Sequence, residues 1–197
     1  MLSINRLGNL GRLANQMFQY ASIKGISSNR GYSFSIPPKD AFGAQDELVS
    51  QSDVTIYDVF ENVGNNIIGF QKNQTLWERM HHFDEELFVN CPDNVDLVGY
   101  FQTEKYFKHI EDEIREDFTF SKEITEMCKE LYNKVVDGES ISLHIRRGDY
   151  TVNPNHPTQT VEYYDKALSN FDSKIPVFVF SDDPSWCHEQ ELFSDDR

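Results

Sequence analysis

The chain has 197 residues, enough for one ordinary domain or two small ones, and 39% of them are hydrophobic, as in proteins with a buried core. It carries 33 acidic and 18 basic residues, so its formal net charge at pH 7 is −15. Such a charge repels phosphates and excludes a general nucleic-acid binder. No apolar run approaches the ~20 residues of a transmembrane helix. Three distant cysteines favour free thiols over disulfides or a zinc site.

The charge is unevenly distributed along the chain. Residues 1–39 contain five basic residues and no acidic residue, so the rest of the chain carries a net charge of −20. Two explanations stay open: a solvated face that arose by chance, or an anion site inside an otherwise repulsive field. The basic residues are Arg6, Arg12, Lys24, Arg30 and Lys39.

The first third of the chain predicts the opening of an α/β unit. Residues 2–7 read as a strand, a loop with Gly8 and Gly11 follows, and residues 13–23 have the apolar spacing of an amphipathic helix. Strand, glycine loop and helix together are typical of nucleotide-binding α/β folds. A second strand is predicted over 32–36.

The middle of the chain gives weaker signals. Residues 39–75 predict short elements and loops, and residues 82–88 a turn before an extended segment. A strand is predicted over 97–101, followed by helices over 103–117 and 121–136, where apolar residues recur at spacings of three and four.

The last part of the chain predicts a βαβα order and therefore a parallel sheet. Strands are expected over 141–145 and 175–180, with a helix over 160–171 between them and another beginning at Pro184. The apolar run 175–180 is typical of a strand buried on both faces. A domain boundary near residues 137–140 divides the chain into domains 1–139 and 140–197.

The motif L-H-I-R-R-G-D-Y, residues 143–150, is the strongest candidate for chemistry. Arg146, Arg147 and Asp149 follow a predicted strand, and ligands of open α/β sheets bind at the carboxyl ends of strands. A guanidinium there presents a planar fork of donors suited to a diphosphate. The alternative is a surface cluster of arginine and aspartate, which the position at a strand end disfavours.

Two further segments carry weaker signals. Residues 7–20 combine glycines, a helix start and Arg12, which suit an anion site, although the pattern is neither a Walker loop nor GxGxxG. In F-V-F-S-D-D-P-S-W-C, residues 178–187, the carboxylates suit a ribose hydroxyl or guanine, or else cap the helix that begins at Pro184. The run 81–86 contains two histidines but no HExxH and no third clustered ligand, so it predicts no metal site.

Taken together, the three segments resemble the α-1,2-fucosyltransferases of glycosyltransferase family 11. The resemblance rests on G-R-L-A-N-Q-M-F-Q-Y-A at 11–21, H-I-R-R-G-D-Y at 144–150 and F-S-D-D-P-S-W-C at 180–187. Two connecting pieces, H-F-D-E-E-L-F at 82–88 and G-Y-F-Q-T-E-K-Y-F at 99–107, also look like the family.

The resemblance implies an α/β, GT-B-like fold with two Rossmann-like domains. It implies transfer of L-fucose from GDP-fucose, with inversion, to a galactose hydroxyl of an oligosaccharide or polysaccharide as an α-1,2 linkage. No metal and no other cofactor is expected, because the motif arginines stabilise the leaving diphosphate.

The resemblance also implies a role for each motif residue. Arg146 is the favoured diphosphate ligand and Asp149 supports the arginines, while the base that deprotonates the acceptor is not assigned. Asn15 reaches the diphosphate from the other domain. The predicted donor-binding residues are Gly11, Arg12, Asn15, His144, Arg147, Ser181, Asp182 and Asp183.

The chain departs from the family pattern in two places. Ala14 stands where the family usually has glycine. Two Rossmann-like domains need ~250 residues or more, and the later family segment N-S-S-F-S-W-W-G-A is absent, so a C-terminally truncated member with an incomplete second domain is expected. The lack of an N-terminal anchor favours a bacterial or viral protein of the cytoplasm.

Two alternatives remain at this point. The first is an inactive, truncated relative that binds nucleotide sugars. The second is a fucosyltransferase of another linkage, such as a protein O-fucosyltransferase, which shares part of the Asn15 and Arg146 motifs.

Overall fold

The computed structural model describes residues 1–39, 54–63, 74–135 and 138–194. The chain forms two compact units, Met1–Glu126 and Met127–Arg197, which divide inside the helix Lys122–Val135. The predicted domain boundary at residues 139 and 140 stays a prediction. Within the described ranges, no helix has the length and apolar character needed to cross a membrane.

The first unit contains a parallel four-stranded sheet in the order β2-β1-β4-β3, with helices between its strands. This arrangement confirms the predicted α/β class. Its strands are β1 (Leu2–Ser3), β2 (Phe34–Ser35), β3 (Gln74–Trp77) and β4 (Val95–Val98). Its helices are α1 (Leu13–Arg30), α2 (Ile56–Val59), α3 (Glu85–Asn90) and α4 (Glu111–Asp117), and α5 (Lys122–Val135) leads into the second unit.

The core of this unit lies where α1 packs on the sheet. Ile23 and Ile26 of α1 are almost completely buried together with Leu2 of β1 and Leu97 of β4. The helix ends at Gly31, whose left-handed φ of 67° lets its N–H bond back to the last turn. The predicted helix over 13–23 is therefore confirmed, and it continues to Arg30.

Strand β1 is shorter than the predicted 2–7. The buried carboxylate of Asp96 accepts from the backbone N–H of Asn5 at 2.8 Å and from the hydroxyl of Ser3 at 3.0 Å. The N–H of Leu7 then turns back to the carbonyl of Ile4. The N–H of Ile4 still donates to the carbonyl of Ser35, and beyond it a side chain from β4 replaces the ladder and turns the chain into the glycine loop.

Two middle predictions are wrong. Residues 103–117 form two 3₁₀ turns, Glu104–Tyr106 and Lys108–Ile110, before α4. The carbonyl of Tyr106 here approaches Gly25 so closely that a β-carbon on Gly25 would lie 2.1 Å away. Residues 82–88 lead into α3, because Asp84 caps that helix at the N–H of Leu87.

The second unit contains a parallel pair, β5 (Ile141–Ile145) and β6 (Val177–Ser181), with α6 (Val161–Leu168) between them and α7 (Pro184–His188) after them. The predicted βαβα order is confirmed. The expectation that the strand 175–180 is buried on both faces is wrong. Phe180 is 56% exposed, because the unit's apolar cluster, with Ile145, lies on the opposite face of the pair.

Candidate active site

Arg146 lies just beyond the carboxyl end of β5, between two carboxylates. Its Nη1 lies 2.9 Å from Oδ2 of Asp182, and its Nη2 pairs with Asp149. The guanidinium carbon also lies 5.3 Å from the ring centroid of Tyr150. Asp149 and Asp182 thus both contact Arg146, and the predicted role of Asp149 in supporting the arginines stays a prediction.

Arg147 is held by a different set of groups. Its Nε donates to Oδ2 of Asp183 at 3.0 Å, and its backbone N–H donates to Oδ1 of Asp182 at 2.8 Å. Its guanidinium carbon lies 3.9 Å above the ring of Trp186. A stacked and hydrogen-bonded guanidinium has few rotamers left, so its remaining donors point in a fixed direction.

The register of the two strands brings these groups together. Ile145 pairs with Ser181, so the loops after β5 and β6 leave the sheet side by side. Gly148 permits the close contact, since a β-carbon there would lie 2.5 Å from the carboxylate of Asp182. Asp183 caps α7 by accepting from the N–H of Trp186 at 3.2 Å, and the Oγ of Ser181 accepts from the N–H of Asp183.

The cluster contains two cations and three carboxylates. Partial burial alone would raise the pKa of Asp182, but the hydrogen bond from the Arg147 N–H and the charge of Arg146 outweigh it, so this pKa lies below its ordinary value. Asp182 is therefore ionised at neutral pH. Asp149 is more exposed than Asp182, so Asp149 is the partner that an incoming anion displaces from Arg146 most easily.

The structure does not bring every predicted residue of this unit into the cluster. His144 pairs with Phe180 in the strand ladder, and its exposed side chain forms no hydrogen bond with the described residues. The prediction also missed Trp186, which covers Arg147, and the stacked pair Tyr150 and His156 with ring centroids 5.0 Å apart. Trp186 follows Asp183 by three residues, the spacing of a helix cap and the N–H that donates to it, which is a usable sequence signal.

In the first unit, the glycine loop presents a cation and an amide. Gly11 has a φ of +82°, and a β-carbon there would lie 2.1 Å from the amide nitrogen of Asn15. The Oδ1 of Asn15 accepts from Nε2 of Gln102 at 2.5 Å. Arg12 is the N-cap residue of α1, and its carbonyl accepts from the N–H of Gln16 at 3.1 Å. Its side chain is exposed and forms no hydrogen bond or ion pair with the described residues.

Two buried glutamines that the sequence prediction missed fix this loop. Oε1 of Gln16 accepts from the N–H of Ile56 at 3.0 Å, and its Nε2 donates to the carbonyl of Val54. Nε2 of Gln19 donates to the carbonyl of Leu10 at 2.8 Å. Both glutamines lie within the motif 11–21. Two amide side chains three residues apart share one face of a helix, and this spacing is the sequence signal that could have identified them.

Most of the basic block at residues 1–39 has local partners. Lys24 lies 2.6 Å from Asp117, Lys39 lies 2.7 Å from Asp58, and Arg30 donates to backbone carbonyls. Among the described residues, Arg6 and Arg12 form no ion pair. The block is thus largely a set of structural contacts, and the anion-site explanation applies at most to these two residues.

The histidines at 81 and 82 belong to no metal-binding group in the described residues, where no three His, Cys, Asp or Glu side chains cluster. Asp84 from the same run forms a two-point contact with Arg79, whose Nε and Nη2 lie 2.8 and 2.7 Å from its oxygens. The predicted independence of metal stays a prediction.

A parallel α/β fold with paired arginines at a strand's carboxyl edge suits the binding of a ligand that carries phosphate groups. Residues 3–196 match the model of the protein family described as "Glycosyl transferase family 11". The chain belongs to this family of transferases, as the sequence motifs predicted.

Several curated relatives carry names from the same chemistry. An alpha-1,2-colitosyltransferase of Escherichia coli is 26% identical over 93% of this chain and 71% of its own length. The O-antigen biosynthesis glycosyltransferase WbnK of Escherichia coli is 30% identical over 63% of the chain. Galactoside alpha-(1,2)-fucosyltransferase 2 of Bos taurus is 28% identical over 96% of the chain. The chain spans 45% and 55% of these last two relatives, and no solved structure matches it significantly.

Proposed function

We propose that this protein transfers L-fucose from GDP-fucose to a galactose hydroxyl of a glycan, forming an α-1,2 linkage with inversion at the sugar carbon. The observation that carries the proposal is the pair Arg146 and Arg147 at the carboxyl edge of β5, held by the carboxylates that follow β6. The names of the family relatives supply the sugar and the linkage.

In the proposed reaction, the acceptor oxygen attacks C1 of fucose while the bond from C1 to the diphosphate oxygen breaks. The acceptor hydroxyl passes its proton to a general base, and GDP leaves with the electron pair of the broken bond and therefore with one additional negative charge. Arg146 stabilises that charge as it develops, after its contact with Asp149 gives way to the diphosphate. Arg147, fixed by Asp183 and Trp186, supplies a second and already oriented set of donors.

The proposed architecture is GT-B-like, with the glycine loop and the arginine cluster on separate domains. Arg12 and Asn15 are proposed to bind the donor, and Asp182 or Asp183 to contact its ribose or guanine. The reaction is proposed to need no metal, so transfer should be equal with and without EDTA.

A second candidate donor is a nucleotide-linked colitose, which is fucose without its 3-hydroxyl group. The observation that favours it is the similarity to an alpha-1,2-colitosyltransferase over 93% of the chain. Hydrophobic surroundings discriminate weakly against one added hydroxyl, whereas a site that bonds the hydroxyl rejects the deoxy sugar strongly. Parallel assays with GDP-fucose and GDP-colitose therefore identify the donor.

The test is transfer from GDP-fucose to lactose by the purified chain, measured as GDP release and as trisaccharide by mass spectrometry. We expect Arg146→Ala to lower the rate by about 10²–10³-fold, the usual cost of losing one donor to a developing charge. Arg146→Lys is the matched control that keeps the charge and loses the planar fork. If GDP release by the wild type is no faster than by Arg146→Ala, the chain is an inactive relative.

A further inference from the structure

The carboxyl edge of the four-stranded sheet presents an exposed indole. Trp77 is the last residue of β3 and is 57% exposed. The guanidinium carbon of Arg6 lies 5.2 Å from the centroid of the Trp77 ring. Arg6 forms no ion pair with a described residue. A large aromatic ring left in water at the carboxyl end of a parallel strand indicates a ligand surface.

A cavity of about 150 Å³ lies beside this indole, between β3 and α3. Its polar lining consists of Arg79, which Asp84 holds at two points, and of Glu86 and Asn90, which are joined by a hydrogen bond of 3.1 Å. One cation, one carboxylate and one amide give this lining no net charge, so it suits an uncharged sugar ring with many hydroxyl groups. A phosphate or carboxylate ligand would instead need an excess of cations.

The neighbouring loop at this edge is fixed in place. The carboxylate of Glu78 accepts from the N–H groups of Tyr100 and Phe101 at 2.8 and 3.1 Å. Phe101 adopts a φ of +51°, which is rare for a residue with a side chain. A β-carbon on Gly99 would lie 2.4 Å from Cβ of Glu78, so the loop packs directly on the end of β3.

This loop connects the indole edge to the glycine loop. Nε2 of Gln102 donates to Oδ1 of Asn15 at 2.5 Å. Strand β3 lies two strands from β1 in the sheet, a separation of about 10 Å. A ligand on Trp77 therefore lies about two sugar rings from the start of the glycine loop.

We propose that Trp77 is the platform for a sugar ring of the glycan acceptor. This inference rests on the proposed function, because that function supplies the acceptor class. The C–H face of a galactose ring packs on the indole, while its hydroxyl groups face Arg79, Glu86 and Asn90. Arg6 holds the indole in position through the contact between its cation and the ring.

The chain's two tryptophans provide a direct test. In a ¹H–¹⁵N spectrum of the full chain, lactose should shift the indole N–H signal of Trp77 and leave that of Trp186 unchanged. The Trp77→Phe spectrum assigns the two signals, since it lacks one of them. A Trp77 signal that stays in place at saturating lactose, or a shift confined to Trp186, would overturn the proposal.

Kinetics supply the second readout. Trp77→Ala should raise the KM for lactose about tenfold, with the KM for GDP-fucose and kcat within about twofold of wild type, and Trp77→Phe should lie between. Phe120→Ala is the matched control, because Phe120 is 56% exposed and lines a separate apolar groove along α1. Weaker lactose binding in Phe120→Ala rather than in Trp77→Ala would place the acceptor in that groove instead.

These readouts separate the two proposals. A lactose shift at Trp77 without any transfer would overturn the proposed function and leave the sugar platform standing. Transfer with an unchanged lactose KM in Trp77→Ala would overturn the platform and leave the proposed function standing.

Discussion

The two sheets of this protein hold their cationic groups in opposite ways. At the edge of the first sheet, Arg12 is exposed and unpaired among the described residues, and neutral amides of Gln16 and Gln19 hold the loop behind it. At the edge of the second sheet, Arg146 and Arg147 each contact carboxylates. The first arrangement leaves the cation free, and the second fixes its direction.

The two arrangements differ in how strongly the arginine attracts an anion and in how well its donors are oriented before the anion binds. An unpaired arginine attracts an anion without first losing a partner, but its long side chain must be ordered on binding. A guanidinium already held by carboxylates attracts less strongly, yet its unused donors are in position before the ligand arrives. We therefore expect the second unit to dominate catalysis and the glycine loop to contribute mainly to binding.

The largest expected effect is the difference between Arg147 and Arg12. Arg147→Ala should lower kcat/KM for GDP-fucose by about 10²-fold, whereas Arg12→Ala should lower it about tenfold or less. Arg147→Lys should recover little, because an ammonium group neither stacks on Trp186 as a plane nor reaches Asp183 in the same geometry. Steady-state kinetics measure all three. Equal losses of kcat/KM in Arg12→Ala and Arg147→Ala would contradict the expectation that the second unit dominates catalysis.

The neutral amides of the first unit should matter for stability. Gln16→Leu keeps the volume but leaves the N–H of Ile56 without its acceptor, so the free energy of unfolding should fall by about 1–3 kcal/mol. Urea unfolding followed by circular dichroism measures the change. Gln102→Leu removes an exposed bond and serves as the control with little expected loss. Equal stability of Gln16→Leu and wild type would contradict the anchoring role.

Asp183 performs two tasks that substitution can separate. Asp183→Asn keeps a capping oxygen for the N–H of Trp186 and should leave stability nearly unchanged, whereas Asp183→Ala should cost about 1 kcal/mol. Both variants remove the carboxylate that orients the guanidinium of Arg147, so both should weaken GDP binding to a similar extent under conditions where both are fully folded. Unequal loss of GDP affinity under those conditions would mean that Asp183 contacts the ligand and does not act through Arg147 alone.

The smallest expected effect is a pH dependence in the first unit. Hydrogen bonds from Lys39 and Thr55 lower the pKa of Asp58 from 3.8 to about 2. Because the folded pKa lies below the unfolded one, the stabilisation is complete above about pH 4 and is lost as the pH falls toward 2. The unfolding midpoint of wild type should decline more steeply across this window than that of Asp58→Asn. Parallel curves would mean that the contacts of Asp58 add nothing to stability.

The bounds of the strand 141–145 and the start of α7 were predicted correctly, because alternation of side chains and helix-capping residues are local properties of the sequence. The strand 141–145 and the cap at Asp183 depend on alternation and on a carboxylate before Pro184, both readable in a few residues. The early end of β1 was not readable, since it depends on Asp96, more than ninety residues away. The exposed Phe180 was not readable either, because an apolar run does not show whether both of its faces are covered.

The most direct test of the account is calorimetric titration of GDP into the wild type, Arg146→Ala and Asp149→Asn. If the arginine pair binds the diphosphate, Arg146→Ala should weaken GDP binding about tenfold or more. Asp149→Asn should tighten it by up to about fivefold, because the exposed partner no longer competes for Arg146. Opposite changes in the two variants are the predicted result. An affinity for GDP that neither substitution alters would contradict the central claim.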